Sequence, residues 1–179
     1  ISADSMQVYR HMDIGSAKIR PEEMRGVPHY LIDVLDPSEE FHVVKFVELA
    51  HEAMEKIYAA GQIPIVTGGT GFYIQALLKE VDFTESHGEL PIRKELEEKA
   101  ATVYGAAELY QKLSEVDPAS AETIHPNNVK RVIRALEYYY ETGQKISEHN
   151  EEQKQKESPY CSAYFVLNDE RSILYDRID

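Results

Sequence analysis

With 179 residues, 42% of them hydrophobic, the chain has enough apolar content for one medium domain, or a domain carrying a small insertion, with a real core. Its formal charge of −13 excludes a broadly adhesive nucleic-acid binder, because sequence-independent affinity for phosphate depends on Lys and Arg. Any nucleic acid must therefore meet a local basic patch. Seven scattered histidines and a single cysteine, Cys161, leave no metal-ligand spacing and no intrachain disulfide, and Cys161 reads as a small buried hydrophobe. No apolar run approaches the roughly 20 residues of a membrane span and no leader pattern opens the chain, so the expected location is the cytoplasm, with no membrane partner.

The opening stretch, residues 1–18, passes from an apolar end directly into an acid, a hydroxyl and an amide: Ile-Ser-Ala-Asp-Ser-Met-Gln-Val-Tyr. A buried parallel strand delivers polar side chains to a site at its carboxyl end in this way. On residue type alone, Asp4 and Ser5 read more readily as a turn or a helix cap than as a site. Residues 21–25 suggest a short helical turn, and residues 29–35 a nearly continuous apolar strand in which Asp33 bonds to nearby backbone. After the Asp36-Pro37-Ser38 turn, Val43, Phe46, Val47, Ala50, Met54 and Ile57 recur at helical spacing until Gly61 stops them.

Residues 63–67, Ile-Pro-Ile-Val-Thr, predict a short buried strand, followed by Gly68-Gly69-Thr70-Gly71 and a second helical pattern through Leu78. Strand, glycine turn and helix form an arrangement that suits phosphate, since glycines admit close backbone approach and the helix start offers free amides. The same turn also serves folds without any ligand. From about Asp82 to Gly88 the composition turns polar, as in a linker. Helical patterns follow over residues 90–104, 106–116 and 119–124, with Asp117-Pro118 as a break. The most amphipathic helix starts after His125-Pro126-Asn127-Asn128, puts Val129, Val132, Ile133, Leu136 and Tyr140 on one face, and ends at Gly143. Lys130, Arg131 and Arg134 gather on an adjoining strip, which is either a solvated face or the place where a phosphate backbone docks. Residues 145–158 are charged, without apolar period, and read as mobile; residues 160–167 predict a last strand returning to the sheet, and residues 171–179 begin a helix.

Five words in order, Asp4–Tyr9 with Met12–Lys18, Val27–Val34, Asp36–Glu39, Gly68–Tyr73 and His125–Glu137, resemble the tRNA dimethylallyltransferase (tRNA isopentenyltransferase) family across nearly the whole chain. Ser16 stands where Thr is more usual, and Lys130 where some members have Gln. The resemblance implies an α/β fold, a P-loop NTPase-like parallel sheet flanked by helices, with an all-helical insertion. The core would comprise residues 1–81 and 153–179, and the tRNA-binding insertion residues 82–152. It implies transfer of a dimethylallyl group from dimethylallyl diphosphate to the N6 amine of adenosine 37 in the anticodon stem-loop of tRNA, with Mg2+, by a monomer.

By the same resemblance Asp4 is the general base and contacts tRNA beside Ser5, Met6 and Gln7. Thr70, Arg93, Lys130, Arg131, Val132, Ile133 and Arg134 match further tRNA contacts. No Gly-x-x-x-x-Gly-Lys-Ser/Thr loop for nucleotide phosphates is present, and residues 174–178 stop short of a further family Arg. The chain is therefore expected to be a piece of a larger enzyme and catalytically poor by itself. Two other readings stay open: a nucleotide or small-molecule kinase of the same fold, which would not need the basic helical insertion, and a non-catalytic RNA-binding fragment.

Overall fold

The computed structural model describes residues 1–81 and 91–178. Eight helices organise the described residues: α1 (Val43–Ala59), α2 (Gly71–Lys79), α3 (Pro91–Ala100), α4 (Gly105–Val116), α5 (Pro118–Thr123), α6 (Val129–Thr142), α7 (Ile146–Gln155) and α8 (Arg171–Ile178), with one 3-10 turn at Pro21–Glu23. The expected linker over residues 82–88 lies outside the described residues.

Apolar side chains gather in two clusters. The first joins residues 1–3 to α1 and α2: Phe46 is fully buried and stacks on Tyr73 with ring centroids 4.9 Å apart, and Phe41 meets Tyr73 edge-on at 5.7 Å. The second is built by α3, α4, α5 and α6 around Leu96, Leu113, Val132 and Leu136. Each fully buried Leu or Val here contributes about 1.5–3 kcal/mol from removal of apolar surface from water.

The expected sheet requires correction. Among the described residues no segment forms a β-strand, and pairing is confined to two isolated parallel bridges, Ser2 with Thr67 and Tyr9 with Leu35. A ladder needs consecutive extended residues on both partners, and Leu31 and Asp33 instead take left-handed backbone, φ 63° and 54°. Ile63 and Ile65, expected inside a buried strand, are 87% and 75% exposed. Residues 160–167 form no strand either, and Cys161 is exposed rather than buried.

Residues 145–158 carry a helix, α7, despite their lack of apolar period. Its start is held from outside by Asp117, which is 1% exposed. One carboxylate oxygen, Oδ1, accepts from Ser120 N at 3.1 Å and Ser147 Oγ at 2.6 Å. The other, Oδ2, accepts from Ser120 Oγ at 2.7 Å and Ser147 N at 3.0 Å. One acid therefore caps two helix N-termini, α5 directly and α7 across 30 residues of chain.

A groove of about 450 Å³ runs between α2 and the α6–α7 pair, with Phe72, Lys79, Arg134, Tyr138, His149 and Lys154 among its walls. Beyond it, the Tyr160 hydroxyl lies 3.1 Å from His51 Nε2 and donates to Glu80 Oε1 at 3.2 Å, fastening residue 160 to α1 and the end of α2. Burial, then the Glu80 carboxylate, raises the Tyr160 hydroxyl above the ordinary tyrosine pKa.

Candidate functional site

Residues 1–3 lie parallel to the end of residues 63–67. Ala3 N donates to Thr67 O at 2.7 Å and Thr67 N to Ile1 O at 3.0 Å, while Ser2 N reaches Tyr30 O at 2.9 Å. The chain leaves this pairing at Asp4, where the polar residues begin. Thr70 N donates to Ala3 O at 3.2 Å, so the glycine turn and the start of α2 stand directly beside Asp4.

Gly68 makes that approach possible. A Cβ there would lie 2.3 Å from the Ala3 carbonyl oxygen, against backbone that has no rotamer to yield. The glycines of the turn were expected to admit a ligand; at Gly68 the approaching group is the chain's own backbone, whereas Gly69 and Gly71 have open space where a Cβ would stand. Gly68→Ala is expected to cost about 3 kcal/mol, the upper end of the usual overpacking range, because overpacking against fixed backbone cannot be relieved by a side-chain shift. Thermal unfolding of this variant beside Gly69→Ala, expected near wild type, checks the assignment.

Asp4 is half-buried. Its Oδ1 accepts from Met6 N at 2.8 Å and Gln7 N at 3.2 Å, so the turn reading is realised in full. Oδ2 takes no hydrogen bond from the described residues. One oxygen thus fixes the carboxylate's orientation and the other remains for a partner. Met6 is 43% exposed and Ser5 half-buried beside it. Gln7 is spent internally: its Oε1 accepts from Ser2 Oγ at 2.9 Å, and its Nε2 donates to the carbonyls of Ser16 and Ala17 at 3.0 and 3.3 Å.

Lys18 is a support that residue type alone does not reveal. Its side chain is 5% exposed, and Nζ donates to Tyr9 O at 2.9 Å, Asp13 Oδ1 at 2.8 Å and Asp33 Oδ1 at 2.7 Å. Burial works to lower the Lys18 pKa, but the hydrogen bonds and charges of Asp13 and Asp33 together outweigh it and raise it. Asp33, expected to bond only to backbone, therefore anchors the loop that follows the Asp4 turn.

The basic residues form a second centre. Asn128 caps α6 by accepting from Arg131 N, and Lys130 and Arg131 stand exposed on its first turn. Arg93 on α3 and Arg134 on α6 converge on Glu137, which is 1% exposed: Arg134 NH1 donates to Oε2 at 3.0 Å and Arg93 NH1 to Oε2 at 3.3 Å. Val132 and Ile133 are 1% and 4% exposed and belong to the helical core, so their side chains are closed to a surface partner. The apolar neighbours on α3 and α4 bury them.

The structure thus brings Asp4, Ser5, Met6 and Thr70 together in one turn pair, and Arg93 with Arg134 in another cluster. Helix α2 connects the two, with its first residues at the Asp4 turn and Phe72, Gln75 and Lys79 on the groove that Arg134 also lines. No group of three or more His, Cys, Asp or Glu among the described residues is placed to hold a metal ion. No helix of the described residues is long and apolar enough to cross a membrane.

A carboxylate thus stands beside a glycine turn, and one helix joins it to a basic cluster. The model of the IPP transferase family matches residues 7–179, and the chain belongs to that family. It is 63% identical over its whole length to the tRNA dimethylallyltransferase of Lachnoclostridium phytofermentans, of which it spans 57%. Among solved structures it is similar to the tRNA isopentenylpyrophosphate transferase of Bacillus halodurans, at 46% identity and TM-score 0.59, over 99% of this chain and 54% of that one. A eukaryotic dimethylallyltransferase crystallised while acting on tRNA shares 39% identity and TM-score 0.73 over 88% of this chain and 39% of its own. The chain thus covers little more than half of its bacterial relatives.

Proposed function

We propose that this chain is the acceptor-handling part of an enzyme that transfers a dimethylallyl group from dimethylallyl diphosphate to the exocyclic N6 amine of adenosine 37 in tRNA. The amine lone pair is delocalised into the ring and attacks poorly while it keeps both protons. As the N6–C1 bond forms, the C1–O bond breaks and its electron pair leaves with diphosphate. The amine proton passes to Asp4, whose free oxygen suits a general base worth about 10²–10⁴-fold. Ser5, Met6 and the adjacent Thr70 line the space where a base drawn out of the anticodon stack would sit.

The resemblance implies magnesium on the diphosphate, where it would neutralise charge on the leaving group. Among the described residues no group of three or more His, Cys, Asp or Glu surrounds a site for it. Residues 1–81 and 153–179 would serve as the P-loop-type core and residues 82–152 as the tRNA-binding insertion, acting in the cytoplasm as a monomer. Val132 and Ile133 take part only by holding α6, while Arg93, Lys130, Arg131 and Arg134 face the anticodon stem.

The observation that carries this reading is the Asp4 carboxylate, pinned through one oxygen and unengaged at the other, in a chain of this family. The test is a transfer assay on the full-length protein with dimethylallyl diphosphate, magnesium and an adenosine-37 stem-loop, reading the RNA mass for one added five-carbon unit. Unchanged mass, with the stem-loop still bound, would replace the reading by a binding function. Phosphoryl transfer to a nucleotide in the absence of RNA would replace it by a kinase.

The exposed cations give a separate expectation. Arg131→Ala should weaken stem-loop binding for all sequences alike and reduce the slope of log K against log salt by about 0.7–0.9, the share of the one phosphate that this guanidinium neutralises. Affinity measured at four salt concentrations checks it, and parallel lines would remove Arg131 from the interface.

A further inference from the structure

The proposed tRNA contacts include Arg93 and Arg134, which lie on different helices and 41 positions apart in sequence. Each is a long side chain with many rotamers, and an arginine left to itself must be ordered when a phosphate binds. Here both are ordered beforehand by one group. Glu137 lies on the face of α6 that packs toward α3, and its side chain is 1% exposed. Its Oε2 accepts from Arg134 NH1 at 3.0 Å and Arg93 NH1 at 3.3 Å, while Arg93 Nε also donates to Glu97 Oε1 at 3.2 Å. The two guanidiniums keep side-chain exposures of 41% and 36%, so each still presents a surface to solvent, and Arg134 reaches the groove beside α2.

A buried carboxylate is costly to desolvate and contributes little net stability over an apolar residue of the same shape. Core positions 136 and 138 on either side of it are the buried hydrophobics Leu136 and Tyr138, so burial alone gives no reason for an acid here. We propose that Glu137 is a positioning residue for RNA binding: it holds the Arg93 and Arg134 guanidiniums at a fixed spacing, so that α3 and α6 meet phosphates as one rigid cationic fork. The inference rests on the reading of this face as the tRNA interface. Glu137 itself touches no RNA and acts through the two arginines.

The test uses the full-length protein. Glu137→Gln keeps the shape and loses the charge that orders both arginines. Its expected effect is a roughly tenfold rise in the stem-loop Kd, from two side chains that must now be ordered on binding. KM for the RNA should rise in parallel while kcat stays within about twofold. Glu137→Gln should add no further loss in an Arg93→Ala/Arg134→Ala background, which a merely structural role could not mimic. A structural role would instead reduce the active fraction, lowering apparent kcat at unchanged KM, and that result overturns the inference. So does tighter binding by the variant, which would mean that the acid acts only as a repulsive charge. If the glutamine variant does not fold, Glu137→Asp, one methylene shorter, is read the same way: the inference requires a raised KM for RNA, and an unchanged KM overturns it. A wild-type protein that neither binds nor modifies the stem-loop overturns the tRNA reading and this inference together. A wild-type protein that does both, with a variant indistinguishable from it, overturns only the role of Glu137.

Discussion

Asp4→Asn in the full-length enzyme is expected to lower kcat by about 10²–10⁴-fold, the range of a lost general base. Thermal stability and stem-loop affinity should change little. The substitution is chosen because of the carboxylate's two roles. Asparagine retains an oxygen that can accept from Met6 N and Gln7 N, so the turn survives, but its amide cannot take a proton from the N6 amine. Asp4→Ala removes both functions, and should lose about 1 kcal/mol of stability in addition to the rate. Comparing the two variants by single-turnover kinetics and thermal melting separates chemistry from architecture. Near-parental turnover by the asparagine variant would exclude Asp4 as the base.

The largest stability effect is expected at Asp117. Removing its carboxylate with Asp117→Ala leaves the buried Ser120 N and the half-buried Ser147 N without their acceptor and uncaps two helices together, for a loss of about 3–5 kcal/mol. Burial acts to raise the Asp117 pKa, but the Ser120 and Ser147 hydrogen bonds outweigh it and leave it lowered. The sign follows from that depression. The stabilisation is fully present above the unfolded carboxylate value of about 3.9 and is lost as pH falls through the lower folded value. Denaturant unfolding from pH 7 to pH 2 should therefore show a stability decline in the wild type below about pH 4 that is shallower in the variant. Equal acid slopes would refute the assignment.

Helices with an apolar stripe and clear punctuation are legible in the sequence. Gly143 stops α6 with left-handed φ of 70°, and Asn128 caps its start, so both ends of that helix can be read in advance. The same pattern is less reliable for individual faces: Tyr140, placed with the apolar residues, is 43% exposed. Helix α7 escapes a reading of periodicity because its start depends on Asp117 and not on its own side chains. Apolar runs at residues 29–35, 63–67 and 160–167 suggest strands, yet a run records only the tendency to be buried. Whether a ladder forms depends on extended partners, which Leu31 and Asp33 interrupt.

In the candidate site, the family words locate Asp4 and the basic strip, but the supports stay hidden. Lys18, Asp117 and Glu137 are charged residues, which as a class are almost never fully buried unless paired. Each also has a partner from a more distant part of the chain, as with Arg93 and Glu137, 44 positions apart. One signal is available for Glu137: an acid set between the core positions 133, 136 and 138 of a strongly amphipathic helix, three residues after an arginine.

The Asp117 double cap also bears on what keeps α7 helical. Helix α7 has no buried residue, ten residues of length and a predominantly polar composition, well short of what an isolated helix needs in water. It borrows its first hydrogen bonds from an acid seated between α4 and α5. The helical state of residues 146–155 thus depends on contacts made by the rest of the helical part, and so does the wall they form on the α2 groove.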